Sequence, residues 1–156
     1  MKPSSKEPLD PEAALLKLRN YCAYQERCHQ EVEVKLAQLG FHGFKADAIM
    51  ARLIEENFLN EERFAVAFAG GKYRIKNWGK YRIRLALQQK GVSEYSIDKA
   101  LEAVKKEGDY EARLTQLLAS KKEEYKGRTQ QWAEVALRKG WEAELVWEII
   151  RRLGEA

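Results

Sequence analysis

The chain has 156 residues, of which 45% are hydrophobic and 33% charged, and its formal net charge is +4. This much apolar material supports a packed core and excludes a chain that is disordered throughout. No apolar run approaches the roughly 18 residues of a membrane span, and two cysteines are too few for a disulfide framework, so we expect a cytoplasmic protein with no membrane partner.

Proline placement predicts a chain built from helices. The three prolines stand at Pro3, Pro8 and Pro11, and none follows from Glu12 to Ala156. Because proline is the strongest helix breaker, so long a proline-free stretch is typical of helices joined by glycine-containing turns. Alternation of β-branched and polar residues is not sustained anywhere, so no sheet is expected.

The first helix of a repeating unit begins three times along the chain. Asp10, Asn60 and Asp109 each precede an amphipathic segment, at spacings of 50 and 49 residues. Asp and Asn are favourable N-cap residues because their side-chain oxygen accepts a hydrogen bond from a free backbone N–H of the first turn. Matching apolar positions follow each cap: Leu15 and Leu18, Ala65 and Phe68, and Leu114 and Leu117.

The second helix of each unit ends in the same way. Gly40, Gly91 and Gly140 each follow an apolar helical segment and precede an apolar residue, as is typical of a helix C-terminus. The apolar register also repeats, at Val32 and Leu36, Ile83 and Leu87, and Trp132 and Ala136. We therefore expect Trp132 and Trp141 to pack in the core.

A third helix follows in each unit, with apolar residues spaced i, i+3, i+4 and i+7 on one helical face. These residues are Ala46, Ile49, Met50 and Leu53, then Ile97, Ala100, Leu101 and Val104, then Val146, Ile149, Ile150 and Leu153. Trp147 follows the core position Val146, so we consider it an interface candidate if it is exposed.

Three such units predict an all-α fold, an elongated tandem array of three three-helix repeats, because repeated units contact mainly their neighbours. The predicted organisation is a polar N-terminal tail at 1–9, followed by helical repeats at 10–58, 59–107 and 108–156. The middle repeat is the basic one.

Three segments carry recognisable signatures. The segment FLNEERFA at 58–65 is similar to the pattern Y-L-D-D-x-R-F-A, and GKYRIRLALQQKGV at 79–92 is similar to G-x-x-x-I-x-x-E-L-x-x-K-G-I. In the first repeat, Glu31-Val32 and Lys35-Leu36 are similar to S-x-x-E-L-x-x-K-L. With these signatures the chain resembles the RecX family, the bacterial regulators of the RecA recombinase.

The chain departs from the family pattern at a few positions. Cys28 stands where a Ser helix cap is frequent, and Asn60 replaces a usual Asp. Lys80 and Ala86 replace a frequent Pro and a usual Glu, so the middle repeat is more basic than the pattern requires.

The resemblance implies a protein that binds RecA–DNA filaments, lies in their helical groove and inhibits their ATPase and strand exchange, with roles in DNA repair, recombination and the SOS response. It also implies weak, non-specific binding to single-stranded or double-stranded DNA. We expect a monomer that is not an enzyme and has no catalytic residues, metal or cofactor. No nucleophile–base set is visible, His29 and His42 stand apart, and Gly70-Gly71-Lys72 lacks the remainder of a phosphate loop.

The middle repeat carries the charge that such partners require. Between Arg63 and Ser93 stand eight Lys and Arg residues and no carboxylate, so the rest of the chain carries −4. Tyr73, Trp78 and Tyr81 lie between the cations, a pattern that suits phosphate contacts with base stacking and equally suits an acidic protein surface. The predicted nucleic-acid or filament-binding residues are Lys72, Arg74, Lys76, Lys80, Tyr81, Arg82, Arg84 and Lys90.

Two alternatives stay open. Lys80 and Arg84 are four residues apart and share a helical face, which is also the arrangement of an ordinary solvated surface. The helices around Gly91 resemble a helix-turn-helix, so a stand-alone DNA-binding protein is the second hypothesis. Against it, the would-be recognition helix at 94–104 carries three carboxylates and one lysine.

Overall fold

A computed structural model of the chain describes residues 9–155. Within that range the chain forms nine α-helices and no strand, so the predicted all-α class is confirmed. The helices are α1 (Pro11–Tyr24), α2 (His29–Gln38), α3 (Gly43–Glu55), α4 (Glu61–Lys76), α5 (Lys80–Gln89), α6 (Glu94–Lys106), α7 (Tyr110–Lys121), α8 (Thr129–Leu137) and α9 (Ala143–Glu155). They follow one another as three three-helix repeats, α1–α3, α4–α6 and α7–α9. Of the predicted tail at 1–9, all but the last residue lies outside the described range.

By its internal contacts the chain divides into two compact units. The first extends to Phe64 and also includes Lys90–Val92, and the second comprises Ala65–Gln89 and the chain from Ser93 onward. The boundaries of the three repeats after residues 58 and 107 stay a prediction. Among the described helices, none is both long enough and apolar enough to cross a bilayer.

Glycine closes the second helix of every repeat, as the sequence predicts. Gly40, Gly91 and Gly140 have φ angles of +92°, +77° and +93°, which an L side chain rarely adopts. At the end of α8, the N–H groups of Gly140 and Trp141 donate to carbonyls three and five residues earlier, at 3.0 and 3.2 Å. This is the hydrogen-bond pattern of a Schellman motif.

The predicted N-caps are confirmed at one of three positions. Asn60 Oδ1 accepts a hydrogen bond from the Arg63 N–H at 2.9 Å, so this residue caps α4. Asp10 and Asp109 occupy the N-cap positions of α1 and α7 but make no side-chain capping bond, so that part of the prediction is wrong. At Asp109 the physical reason is competition, because its carboxylate accepts from the Tyr73 hydroxyl at 2.6 Å.

The core of the first unit is built from the apolar residues predicted for α1, α2 and α3. The Arg19 guanidinium of α1 also donates two hydrogen bonds to the Glu56 carboxylate, at 2.8 and 3.0 Å, in a bidentate arrangement beside this core. Cys28, in the place of the usual Ser, donates its backbone N–H to Glu31 Oε1 at 2.8 Å and so begins α2. The most deeply buried of its large side chains are Leu15, Leu18, Val32, Leu36, Leu53 and Leu59.

The core of the second unit follows the predicted positions with three exceptions. Phe68, Leu101 and Leu153 are only partly buried. Trp132 and Trp141 are buried as predicted, and the Trp132 indole N–H donates to the Leu118 carbonyl at 2.9 Å. The other predicted core residues of this unit are buried: Ala65, Ile83, Leu87, Ile97, Ala100, Val104, Leu114, Leu117, Ala136, Val146, Ile149 and Ile150.

Candidate nucleic-acid interface

Helix α5 presents the predicted cations on two different flanks. Ile83 and Leu87 are fully buried and define the inner face of the helix. Because successive residues of an α-helix are rotated by about 100°, Lys80 and Arg84 lie on one side of this inner face and Arg82 lies on the other. The predicted set is therefore not a single continuous stripe.

Cations on the first flank are paired with carboxylates from other parts of the second unit. The segment is free of acids along the sequence, but α6 and the turns after α6 and α8 supply them in space. Arg74 at the end of α4 is paired in the same way. The pairs are Arg84 with Glu94 and with Asp98 (3.0 Å), Lys80 with Glu142 (3.6 Å), and Arg74 with Glu107 (2.6 Å).

On the second flank of α5, Arg82 lies against the ring of Trp78, together with Lys72 of α4. The Lys72 ammonium lies 5.1 Å from the centroid of the Trp78 ring, and the Arg82 guanidinium lies 4.4 Å from it. Lys76 is exposed at the end of α4. Among the residues that the structure describes, no carboxylate lies within ion-pair distance of Lys72, Lys76 or Arg82.

The turn after α8 adds two cations that the sequence analysis missed. Arg82 Nη1 donates to the Arg138 carbonyl at 3.2 Å, and Lys139 Nζ donates to the Lys76 carbonyl at 3.1 Å. The sequence offers a signal for Lys139, because it aligns with the predicted site residue Lys90 when the third repeat is superimposed on the second. We call Lys72, Lys76, Arg82, Arg138 and Lys139, which lie around Trp78 and the turn after α8, the cationic surface. Of the five, Arg138 is paired with a carboxylate, that of Glu134 at 3.2 Å.

The aromatic residues of the basic segment have three different environments. Tyr73 is fully buried and donates to Asp109, so the suggestion that it stacks on bases is wrong. Tyr81 is 56% exposed and lies beside Lys80, with 5.4 Å from the ammonium to the ring centroid. Of the three, Trp78 is the one that lies among cations without carboxylate partners.

Lys90 is assigned to a different compact unit from the other predicted site residues. It belongs to the first compact unit, together with Gly91 and Val92, whereas the other predicted residues belong to the second. Its contribution to the site stays a prediction.

Two glycines bring the second and third repeats into backbone contact at the start of α5. The Gly79 N–H donates to the Lys139 carbonyl at 2.8 Å, and the Tyr81 N–H donates to the Gly140 carbonyl at 3.0 Å. A Cβ on Gly79 would lie 2.7 Å from the Gly140 oxygen, and a Cβ on Gly140 would overlap the Arg82 backbone. The glycines therefore set the distance between the two parts of the cationic surface.

The hydroxyl of Tyr110 forms a further hydrogen bond with the backbone at the start of α5. Its hydroxyl accepts the Lys80 N–H at 3.1 Å and donates to Glu142 Oε1 at 2.6 Å. Burial, reinforced by the bond to Glu142, raises the pKa of this hydroxyl above its usual value. Since the first N–H groups of α5 are bonded to the third repeat, they are not available to a phosphate.

The remaining candidate groups do not form a chemical site. Within residues 9–155, no three His, Cys, Asp or Glu side chains are grouped so as to hold a metal ion. Cys22 and Cys28 are buried free thiols, and burial raises the pKa of each.

Comparison with known proteins gives consistent matches. Residues 60–101 match the family model described as RecX, second three-helix domain. A regulatory protein RecX of Prosthecochloris aestuarii is 33% identical over 92 residues, which cover 59% of this chain and 61% of the relative. That of Chlorobium phaeobacteroides is 35% identical over 77 residues, covering 49% and 51%. These matches thus span only about half to three fifths of the two relatives. That of Thermotoga maritima is 26% identical over 149 residues, covering 96% and 86%.

Solved structures show the same fold. The crystal structure of RecX from Lactobacillus salivarius superposes with a TM-score of 0.82 at 22% identity, over 94% of this chain and 97% of that one. A second crystal structure, of a regulatory protein RecX, gives a TM-score of 0.79 at 22% identity, over 91% and 73%.

Proposed function

Because this chain belongs to the RecX family of regulatory proteins, we propose that it binds filaments of the RecA recombinase on DNA and inhibits their ATPase and strand exchange. In this role it acts in DNA repair, recombination and the SOS response as a binding protein rather than an enzyme. It binds as a monomer, and its contact with DNA alone is weak and non-specific.

The observation that carries this proposal is the cationic surface. Two repeats contribute five cations to one region, and Lys72, Lys76 and Arg82 have no carboxylate partner among the described residues. Cations without carboxylate partners, such as these three, repel one another, and a polyanion removes that repulsion while releasing its own counterions. DNA phosphates are the polyanion that a recombinase filament offers.

Trp78 favours single-stranded over double-stranded DNA as the nucleic-acid partner. Its ring is flanked by Lys72 and Arg82 and contacts the edge of Phe68, with 6.4 Å between the ring centroids. A base of a single strand can stack on this ring by displacing Lys72 or Arg82 from it, and the displaced cation then binds the backbone. A duplex offers phosphates but keeps its bases stacked inside.

The helix-turn-helix hypothesis gains no support from α6. Two of its carboxylates, Glu94 and Asp98, are exposed and paired with Arg84 of the preceding helix. A recognition helix entering a major groove would bring these carboxylates toward phosphates, which is unfavourable.

A direct test adds the purified protein to the cognate recombinase on single-stranded DNA and measures ATP hydrolysis and strand exchange. We expect inhibition of both at fewer than one molecule per recombinase subunit, because one bound molecule interrupts a continuous filament. Unchanged rates at every ratio would overturn the proposed function. A tight, sequence-selective gel shift without recombinase would favour the helix-turn-helix hypothesis instead.

A further inference from the structure

A groove runs along the flank of α5 that faces away from the cationic surface. It lies within the second compact unit and has two adjoining stretches, which share Lys80, Glu142 and Leu145. The stretch beside α9 has a volume of about 1130 Å³, and the stretch toward α6 and α7 about 660 Å³. Because these lining residues belong to both stretches, we treat the two as one groove.

The walls of the groove combine charged side chains with aromatic and aliphatic ones. Tyr81 of α5 is 56% exposed, and Trp147 of α9 is half-buried and lines the same stretch. Leu145 and Leu101 contribute aliphatic surface farther along. Exposed aromatic side chains beside a groove are typical of a surface that another molecule covers.

Carboxylates outnumber cations along the groove, by six to four. Lys80 and Arg84, the cations that α5 contributes, are already paired with carboxylates. Glu144 and Glu148 lie four residues apart on α9, and among the described residues no cation lies within ion-pair distance of either. Arg151 and Lys105 are the lining cations that make no ion pair there.

We propose that this groove binds an extended protein segment that carries lysine or arginine side chains. A guanidinium or ammonium group is attracted both to the face of an aromatic ring and to a carboxylate, and Tyr81 and Trp147 lie in the same stretch as Glu144 and Glu148. DNA is disfavoured, because its phosphates would meet the carboxylates of Glu144 and Glu148, which have no cation partner among the described residues. The inference rests on the proposed function, since it takes the protein component of the filament as the source of the segment.

Helix α5 then separates two contacts of different chemistry. Arg82 and the cationic surface meet the nucleic acid, and Tyr81 meets the protein, although both residues belong to the same predicted basic stretch. A nucleoprotein filament is a partner that presents both contacts at once.

The test compares E144Q/E148Q and Y81A with the wild type in two binding assays. One assay measures binding to the recombinase without DNA, and the other measures binding to a fluorescent single-stranded oligonucleotide. E33Q/E62Q is the matched control, because it removes two exposed carboxylates from the first unit, one of them in the first turn of a helix. All substituted side chains are exposed, and circular dichroism verifies the fold.

We expect E144Q/E148Q and Y81A to weaken binding to the recombinase by about tenfold or more, with oligonucleotide binding unchanged and the control like the wild type. Wild-type recombinase affinity in both groove variants would overturn the inference while leaving the proposed function intact, provided that the wild type inhibits strand exchange. Weaker oligonucleotide binding by the groove variants, with recombinase binding unchanged, would also overturn it, because the groove would then contact nucleic acid. A wild type that neither binds the recombinase nor inhibits it would overturn the proposed function together with the inference.

Discussion

Gly140 combines a left-handed backbone with a close approach to another helix. Its φ is +93°, and a Cβ there would overlap the Arg82 backbone. We expect Gly140→Ala to lower the free energy of unfolding by about 2 kcal/mol or more, because backbone strain and steric overlap add. Urea unfolding measures this loss.

Gly127 provides the matched control for that substitution. Its φ is +79°, yet nothing lies within 4 Å of a Cβ built on it. Gly127→Ala should therefore cost only the strain of the backbone, about 1 kcal/mol. Equal losses for the two alanine variants would contradict the close packing of Gly140 against α5.

The hydroxyl of Tyr73 makes the free energy of unfolding depend on pH in the alkaline range. Burial raises the pKa of its hydroxyl from 10.0 to about 12. An unfolded chain therefore loses this proton at lower pH than the folded protein does, so the stabilisation is complete below about pH 10 and is lost as the pH rises through about 12.

We expect the wild type to lose more unfolding free energy between about pH 10 and 12 than Tyr73→Phe does, because the variant has no hydroxyl to deprotonate at this site. Urea unfolding at both ends of this range measures the difference. Tyr24→Phe, at a side chain that is 83% exposed, is the control and should behave as the wild type. A loss of equal size in Tyr73→Phe would show that this hydroxyl does not couple to folding.

At the scale of an element, α5 shows what periodicity reveals and what it does not. The spacing of Ile83 and Leu87 correctly predicts the buried face. The absence of acids along the segment predicts one uncompensated stripe, but Glu94 of the following helix and Glu142, which precedes α9, both pair with cations of α5. Ion pairs between helices depend on tertiary packing, which periodicity alone does not encode.

The two flanks of α5 can be separated with one type of substitution. Arg82→Gln removes a cation of the cationic surface, so we expect several-fold weaker oligonucleotide binding and a salt slope smaller by about 0.7. Arg84→Gln removes a cation that Glu94 and Asp98 already neutralise, so binding should change little and stability should fall by up to about 1 kcal/mol. Fluorescence anisotropy across a salt series measures both slopes. Equal effects of the two substitutions on binding would show that ion pairing does not divide the predicted set.

The sequence predicts where helices end better than it predicts which side chains bond to each other across the fold. The glycines after the second helices are read directly from the sequence, because a left-handed turn favours glycine wherever it occurs. Capping by Asp109 depended on a distant residue, since the Tyr73 hydroxyl takes its carboxylate. The same long-range contact holds Tyr73 in the interior, so its ring is not available to stack on bases.

At the scale of the molecule, the candidate interface is a property of two repeats rather than one. The second repeat supplies Lys72, Lys76 and Arg82, and the turn of the third repeat supplies Arg138 and Lys139 and bonds the first N–H groups of α5. The sequence revealed the repeats, because each can be aligned with the next. The composite surface depends on how α5 meets the turn after α8, which required the three-dimensional structure.

The measurement that tests the central claim most directly compares two triple variants as inhibitors of strand exchange by the recombinase. K72Q/K76Q/K139Q removes three lysines of the cationic surface, and K17Q/K45Q/K106Q removes three exposed lysines elsewhere. We expect the first variant to need at least about tenfold more protein for half-inhibition, and to bind oligonucleotides with a salt slope smaller by about 2. The second should match the wild type. Equal inhibition by the two variants would contradict the claim that the cationic surface binds the filament.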